Sequence, residues 1–231
     1  MIELSKHPRV VIFTGAGMSA ESGVPTYRGR GGIWGQYDYR EYACETAFRR
    51  DPGKVMDFHE VRRRHVLTCQ PHAGHFHLAR LQQAHPALTV ITQNIDGMLQ
   101  RAGVEVAAEL HGSLWRLRCP RHGISEDRDA GDFRTRSCPD CGAPLRPDIT
   151  WFEDPVNERL FDRAAELIDA CDLFVSIGTS AVVWPAAGLI PFRRHPRPVL
   201  AEVNLDETDG SALFDHSWRR PASELAEMLR P

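Results

Sequence analysis

The chain is predicted to be an α/β protein: a doubly wound parallel sheet carrying a small metal-binding domain and a helical insertion. Three observations predict it. Short apolar runs alternate with helical patterns, as in βα repeats. The first run ends in a glycine-rich turn. Two closely spaced pairs of cysteine and histidine lie in a stretch too poor in aliphatic residues to make a core of its own.

The strand candidates are Val10–Thr14, Leu88–Thr92, 173–178 and Val199–Asn204, with a weaker one at 107–110. Each is mostly apolar, as strands buried on both faces are. Residues 162–169 and 223–229 read as amphipathic helices. Residues 30–80 are rich in Tyr, Arg and His, with helical stretches at 46–48 and 55–66, and form the insertion. The divisions are a Rossmann-like domain of 1–36, 80–115 and 149–231, an insertion of 37–79, and a small module of 116–148.

After the first strand comes Gly15-Ala16-Gly17-Met18-Ser19-Ala20, which fits Gly-x-Gly-x-x-Gly/Ala. That pattern turns a strand into a helix whose free N–H groups face a pyrophosphate. Gly15 serves the tight turn, Gly17 the approach of phosphate, and Ala20 the packing of helix on strand. Gly23 and Pro25 then interrupt the helix and Tyr27-Arg28 follows, so 23–28 reads as a loop covering a cofactor.

Three more strand ends are polar. Gln93-Asn94-Ile95-Asp96 follows the second strand, where ligands bind in such sheets; the same residues would also serve as a helix cap. Gly178-Thr179-Ser180 and Glu202-Val203-Asn204 end later strands. His111 stands just before the metal module, and its imidazole suits general-base work near neutrality. A lone histidine in this place is equally compatible with a structural role.

Cys119-Pro-Arg-His122 and Cys138-Pro-Asp-Cys141, fifteen residues apart, are two x₂ knuckles that suit one tetrahedral zinc. Four protein ligands leave no open position, so the zinc is structural, and its binding supplies folding free energy to a module without a core. The other possibility is a surface His122 beside three cysteines. Cys44, Cys69 and Cys171 read as small buried hydrophobes.

The 231 residues carry a net charge of −3, which offers no broad attraction for nucleic acid or an anionic membrane. The N-terminal residues lack a signal pattern, and no apolar run reaches the length of a membrane span. A cytoplasmic monomer is the default expectation.

Taken in order, Gly-Ala-Gly-x-Ser with Tyr-Arg, Thr-Gln-Asn-Ile-Asp, His-Gly, the two metal pairs, Gly-Thr-Ser and Val-Asn resemble the sirtuin family of NAD-dependent protein deacylases over nearly the whole chain. The resemblance implies a Rossmann-like domain, a zinc domain, and a cleft between them that takes NAD and an acyl-lysine peptide. It implies that Gly15, Ala16, Gly17, Ser19, Tyr27 and Arg28 bind the NAD phosphates and the nicotinamide-side ribose. Gln93 and Asn94 would hold that ribose and Asp96 the carboxamide, with Asn94 and His111 catalytic. Gly178, Thr179, Ser180 and Asn204 would meet the adenosine half. NAD would be consumed, giving nicotinamide, free lysine and O-acyl-ADP-ribose. Trp151, Phe152 and Val183 would add the substrate peptide as a strand.

The segment from Ala20 to Gly29 is most similar to the class that removes malonyl, succinyl or glutaryl groups. Ala43 matches its small pocket residue and Arg62 its carboxylate-binding arginine. His59 stands in place of its tyrosine, where it would still donate a hydrogen bond. The alternative for Arg62-Arg63-Arg64 is a solvated helix face. Three departures from the family pattern are His122 for a cysteine, Leu99 where many relatives have histidine, and Phe152-Glu153-Asp154 for Phe-Gly-Glu. The competing functional readings are an NAD glycohydrolase or ADP-ribosyltransferase, and a non-catalytic NAD- or ADP-ribose-binding module.

Overall fold

The structure is a computed structural model that describes residues 1–27, 31–128, 130–181, 184–192, 194 and 196–231. Arg28 and Val183, expected at the cofactor and peptide sites, lie outside the described residues.

The main sheet contains β2 (Val10–Thr14), β3 (Leu88–Thr92), β4 (Val106–Glu109), β8 (Leu173–Ile177), β9 (Val199–Asn204) and β10 (His216–Arg219). All six are parallel, in the order β10-β9-β8-β2-β3-β4. Counted along the chain this is 3-2-1-4-5-6 in reverse, so the winding changes direction between β2 and β8. Such a reversal opens a crevice at the carboxyl ends of the strands. A two-residue parallel pairing joins β1 (Ile2–Glu3) to β11 (Leu229–Arg230).

Side chains alternate along each strand, and the sheet therefore has two cores. On one face Val10, Ile12, Val90, Val175 and Val203 pack beneath α5 (Ala73–Ala84) through Leu78 and Leu81. On the other, Val11, Phe13, Ile91 and Phe174 meet Phe161, Ala164 and Ile168 of α7 (Glu158–Asp169). Asn157 caps α7 by accepting from Leu160 N at 3.2 Å. Helix α5, which bridges the 79/80 boundary, has a cap of its own kind. His72 Nδ1 accepts from Gly74 N at 3.0 Å, and His75 Nδ1 accepts from His72 N at 3.2 Å.

The predicted helix at 223–229 is not formed. Residues Ala222–Glu227 make 3₁₀ turns, with Glu224 outside helical geometry, and Leu229–Arg230 is strand β11. Pairing with β1 and burial of Leu225, Met228 and Leu229 in the sheet core outweigh the amphipathic pattern.

The insertion comprises α2 (Tyr39–Tyr42), α3 (Glu45–Arg50) and α4 (Pro52–Thr68), the last capped by Asp51 on Lys54 N at 2.9 Å. The small module is an antiparallel sheet in the order β6-β5-β7, from β5 (Gly112–Cys119), β6 (Gly123–Glu126) and β7 (Arg146–Ile149). Beside these are the four-residue helices α1 (Gly17–Ala20) and α6 (Met98–Arg101). Insertion and module share one core, in which Ala47, Phe48, Val55, Met56, Leu114, Trp115 and Leu117 meet.

Arg63 joins them. It is completely buried, so the triple-arginine stretch is not a solvated face. Its guanidinium donates to the carbonyls of Leu114 (3.0 Å), Asp127 (2.9 Å) and Ala130 (2.9 Å), and to Asp127 Oδ1 at 2.8 Å. The rings of Trp115 and Phe133 flank it at 5.0 and 4.3 Å. Removing one partner of such a pair leaves an uncompensated buried charge. Asp127→Asn is expected to lower the unfolding free energy by roughly 3–5 kcal/mol, read by urea denaturation; a change within ~0.5 kcal/mol would show that the clamp does not hold the two parts together.

Candidate active site

Three loops meet where the sheet reverses. Gly15 N donates to Ile177 O and Gly17 N to Gly178 O, both at 2.9 Å, so the loop after β2 is hydrogen-bonded to the end of β8 and the loop after it. A Cβ on Gly15 would lie 2.7 Å from Gly178 O, and one on Gly17 would lie 2.7 Å from Gly178 Cα. Gly178 itself has φ +62°, and a Cβ there would meet Met18 N at 2.3 Å. Neither adopts a left-handed conformation; the close approach of two backbones by itself requires glycine at both.

The loop after β3 is tied to this pair. Gln93 N donates to Thr14 O at 2.9 Å. Asn94 is buried, and its Nδ2 donates to Gly15 O at 2.9 Å and to Ser19 Oγ at 3.4 Å. Beneath them Thr14 Oγ1 donates to Thr92 Oγ1 at 2.7 Å. Asp96 is also buried, which raises its carboxyl pKa; the N–H of Met98, 2.8 Å from Oδ1, and Ser19 pull it back. Trp115 Nε1 donates to Asp96 O at 2.7 Å and fixes the turn.

His111, partly buried, follows β4 and reaches back to this loop. Its Nδ1 lies 3.0 Å from Gln93 O. A carbonyl can only accept, so Nδ1 carries the proton and Nε2 keeps its lone pair. Burial lowers the His111 pKa, and the bond to Gln93 opposes this. The ring is neutral at pH 7 and can take a proton at Nε2.

On the other side of the crevice, Thr179 is buried and Ser180 exposed, while Asn204 Nδ2 donates to Thr179 O at 2.8 Å. A small cleft there is lined by Gly17, Gly178, Asn204 and, unforeseen from sequence, Leu205, Glu21 and Arg220. Leu205 directly follows a strand-end motif; Arg220 has no local signal at all. The crevice suits a dinucleotide. The backbones of Gly15, Gly17 and Gly178 meet there without side chains, and the Asn94 amide, the Asp96 carboxyl and the His111 imidazole belong to the segments that follow β3 and β4.

Tyr27 and Arg62 are brought together from 35 residues apart, Arg62 Nη2 donating to Tyr27 OH at 2.8 Å. Ala43 is buried nearby in the shared core. Two expected substrate residues are not placed as predicted. His59 is buried at 1% exposure, and its Nδ1 donates to Val55 O at 2.8 Å. Burial pushes its pKa down to about 3, so its one N–H is consumed by the helix and it has none to offer a carboxylate. Trp151 is buried too, with the Arg146 guanidinium 3.6 Å from its ring centroid. Trp151 N donates to Asp154 Oδ2 (3.0 Å) and Phe152 N to Ala43 O (3.3 Å), so these two N–H groups are not open to an added strand. Phe152 remains half-exposed against Tyr39, 4.2 Å between centroids. Glu153 is held by Thr46 N at 3.0 Å. Leu99 lies in the sheet core, which accounts for an apolar residue there.

In the small module, the ligand atoms of Cys119, His122, Cys138 and Cys141 all lie within 4.8 Å of one another. Cys119 and Cys141 sulfurs are 3.7 Å apart and His122 Nδ1 is 3.3 Å from Cys138 Sγ. Zinc–sulfur bonds of about 2.3 Å at tetrahedral angles require sulfurs ~3.8 Å apart. The donor set fits zinc, and His122 is one of its four members.

The Sir2 family model matches residues 15–185. The NAD-dependent protein deacylase of Aeropyrum pernix is 42% identical over 221 residues, covering 95% of this chain and 90% of that protein. This chain belongs to the Sir2 family. A solved Sir2 homologue in complex with ADP-ribose superposes with a TM-score of 0.90 at 36% identity, over 97% of this chain and 91% of the other. A Sir2 homologue–NAD complex does so at 0.88 and 36%, over 97% and 89%. Within this Sir2 fold the metal centre sits in the small module, apart from the glycine loops. Purified protein is expected to contain about one zinc per chain by elemental analysis, and a chelator that strips it is expected to unfold the module. Metal-free protein with an unchanged near-ultraviolet circular dichroism spectrum would contradict a structural zinc.

Proposed function

We propose that this chain is an NAD-dependent protein-lysine deacylase. The observation that carries the reading is the His111 imidazole, held through Nδ1 by Gln93 O on the same loop that fastens Asn94 to the glycine turn. NAD, when bound, supplies the ADP-ribosyl group that takes up the acyl chain as nicotinamide is lost. The chain's own residues do the rest. The glycine loops seat the phosphates, with Thr179, Ser180 and Asn204 toward the adenosine half. Ser19, Asn94 and Asp96 crowd one polar corner, where the buried Asp96 carboxyl is suited to an amide N–H. His111 accepts a proton at Nε2 from a ribose hydroxyl, which can then attack the acyl carbon. One water is consumed as the lysine amine leaves the acyl carbon, and the products are free lysine, nicotinamide and O-acyl-ADP-ribose.

For the acyl group, Arg62 supports a chain ending in a carboxylate. It is half-buried and, among the described residues, makes no ion pair, whereas its neighbours Arg63 and Arg64 do. A guanidinium left without an anion in such a place is suited to bind one. The reading carries with it a cytoplasmic monomer acting on peptide rather than nucleic acid, consistent with a net charge of −3. Among the described residues no helix is long and apolar enough to cross a membrane.

Nicotinamide release is expected to require an acyl-lysine peptide and to yield O-acyl-ADP-ribose by mass spectrometry. Release without peptide would favour a glycohydrolase, and NAD binding without turnover a binding module. His111→Ala is expected to slow turnover by about 10²–10⁴-fold. Because only the neutral ring accepts a proton and burial lowers its pKa, kcat/KM is expected to fall on the acid side at a lower pH than an ordinary imidazole would give, read from its pH profile.

A further inference from the structure

We propose that the hydroxyl of Tyr27, on the loop that covers the cofactor, completes with Arg62 a two-donor site for the terminal carboxylate of the acyl chain. The proposal rests on the deacylase reading above and on its carboxylate-bearing acyl group. It also supplies a second donor, which His59 cannot be.

The hydrogen-bond inventory at this point is uneven. Arg62 Nη2 donates to the Tyr27 oxygen at 2.8 Å, so that oxygen is an acceptor here and its own hydrogen remains to be donated. Among the described residues no acceptor for that hydrogen is found. Arg62 has five N–H donors and spends one on Tyr27. Its guanidinium lies 5.1 Å from the centroid of Tyr27 and 5.9 Å from that of Phe58, which hold the head in place without neutralising it. An N–H and an O–H on hydrogen-bonded neighbours are then left to donate, a pair that matches the two oxygens of a carboxylate. Both groups are half-buried between aromatic rings, where charge-assisted hydrogen bonds are stronger than in open water. Arg62 lies near enough to Asp96 for its charge to favour the ionised carboxyl, against the burial that raises its pKa.

The two donors come from different parts of the chain. Arg62 is on α4, whereas Tyr27 is on the stretch that leaves α1, four residues past Gly23. A carboxylate bound across them ties the covering loop to the insertion. Acyl-chain binding and cofactor binding are therefore coupled, and by linkage each must strengthen the other equally.

Tyr27→Phe keeps the ring and its contact with Arg62 and removes only the hydroxyl. The ratio of kcat/KM for a succinyl-lysine peptide to that for the matching acetyl-lysine peptide is measured in wild type, Tyr27→Phe and Arg62→Met. In parallel, succinyl-peptide affinity is measured by fluorescence anisotropy with and without saturating ADP-ribose. Tyr27→Phe is expected to cut the succinyl-to-acetyl ratio by about tenfold or more and to abolish the gain in succinyl-peptide affinity on adding ADP-ribose. If Arg62→Met collapses the ratio while Tyr27→Phe leaves it at the wild-type value, the Tyr27 donor is refuted and the carboxylate reading stands. If wild type shows no preference for succinyl and Arg62→Met does not move the ratio, the carboxylate reading fails and the proposal fails with it.

Discussion

The site depends on one close approach: the backbone of Gly15 and Gly17 pressed against that of Gly178, where the sheet reverses its winding. Side chains on any of the three would push the loops apart by overlaps that backbone cannot absorb. A short series of hydrogen bonds carries this contact to the imidazole proposed as the base. Gly15 O receives Asn94, Thr14 O receives the N–H of Gln93, and Gln93 O receives His111. The imidazole is thus positioned against the phosphate cradle through backbone atoms at nearly every step. Backbone has few alternatives once the strands are paired, so the geometry is preorganised before any ligand arrives.

A second constraint supplies the other wall. The small module has too few aliphatic side chains to fold around itself, and it is held from two sides. Its zinc ligands close one end, and at the other it shares a core with the insertion, pinned by Arg63 and Asp127. The groups proposed to bind the acyl chain belong to this shared body or pack against it: Ala43 in its core, Arg62 one residue before the clamp, Tyr27 packed against it from the segment after α1. Arg62 and Arg63 are adjacent yet have opposite fates. One is satisfied by three carbonyls and a carboxylate, whereas the other meets a phenol and, among the described residues, no anion.

Much of this was legible in the sequence, and the physical reasons are instructive. Strands buried on both faces are continuous apolar runs, so β2, β3, β8 and β9 were recognisable. Metal ligands must be close in sequence within each knuckle, so the zinc set was readable to the residue. Helix α5 was not seen as a unit because its cap is a pair of histidines rather than Ser, Thr, Asp or Asn. The 223–229 segment carried a helical pattern but is committed to pairing with the other end of the chain, which no local window contains. His59 and Trp151 bore family-like positions, yet their burial follows from tertiary packing against α3 and β7. The Tyr27–Arg62 pair, 35 residues apart, was equally invisible, since neither residue signals the other.

The central claim is that the glycine contact builds the cofactor cradle. Calorimetric titration of ADP-ribose into Gly178→Ala tests it most directly, with circular dichroism to establish that the variant is folded. A Cβ at φ +62°, 2.3 Å from Met18 N, must separate the two loops. The account predicts a folded protein whose affinity for ADP-ribose is lower by at least about tenfold. Wild-type affinity in the folded variant would contradict it.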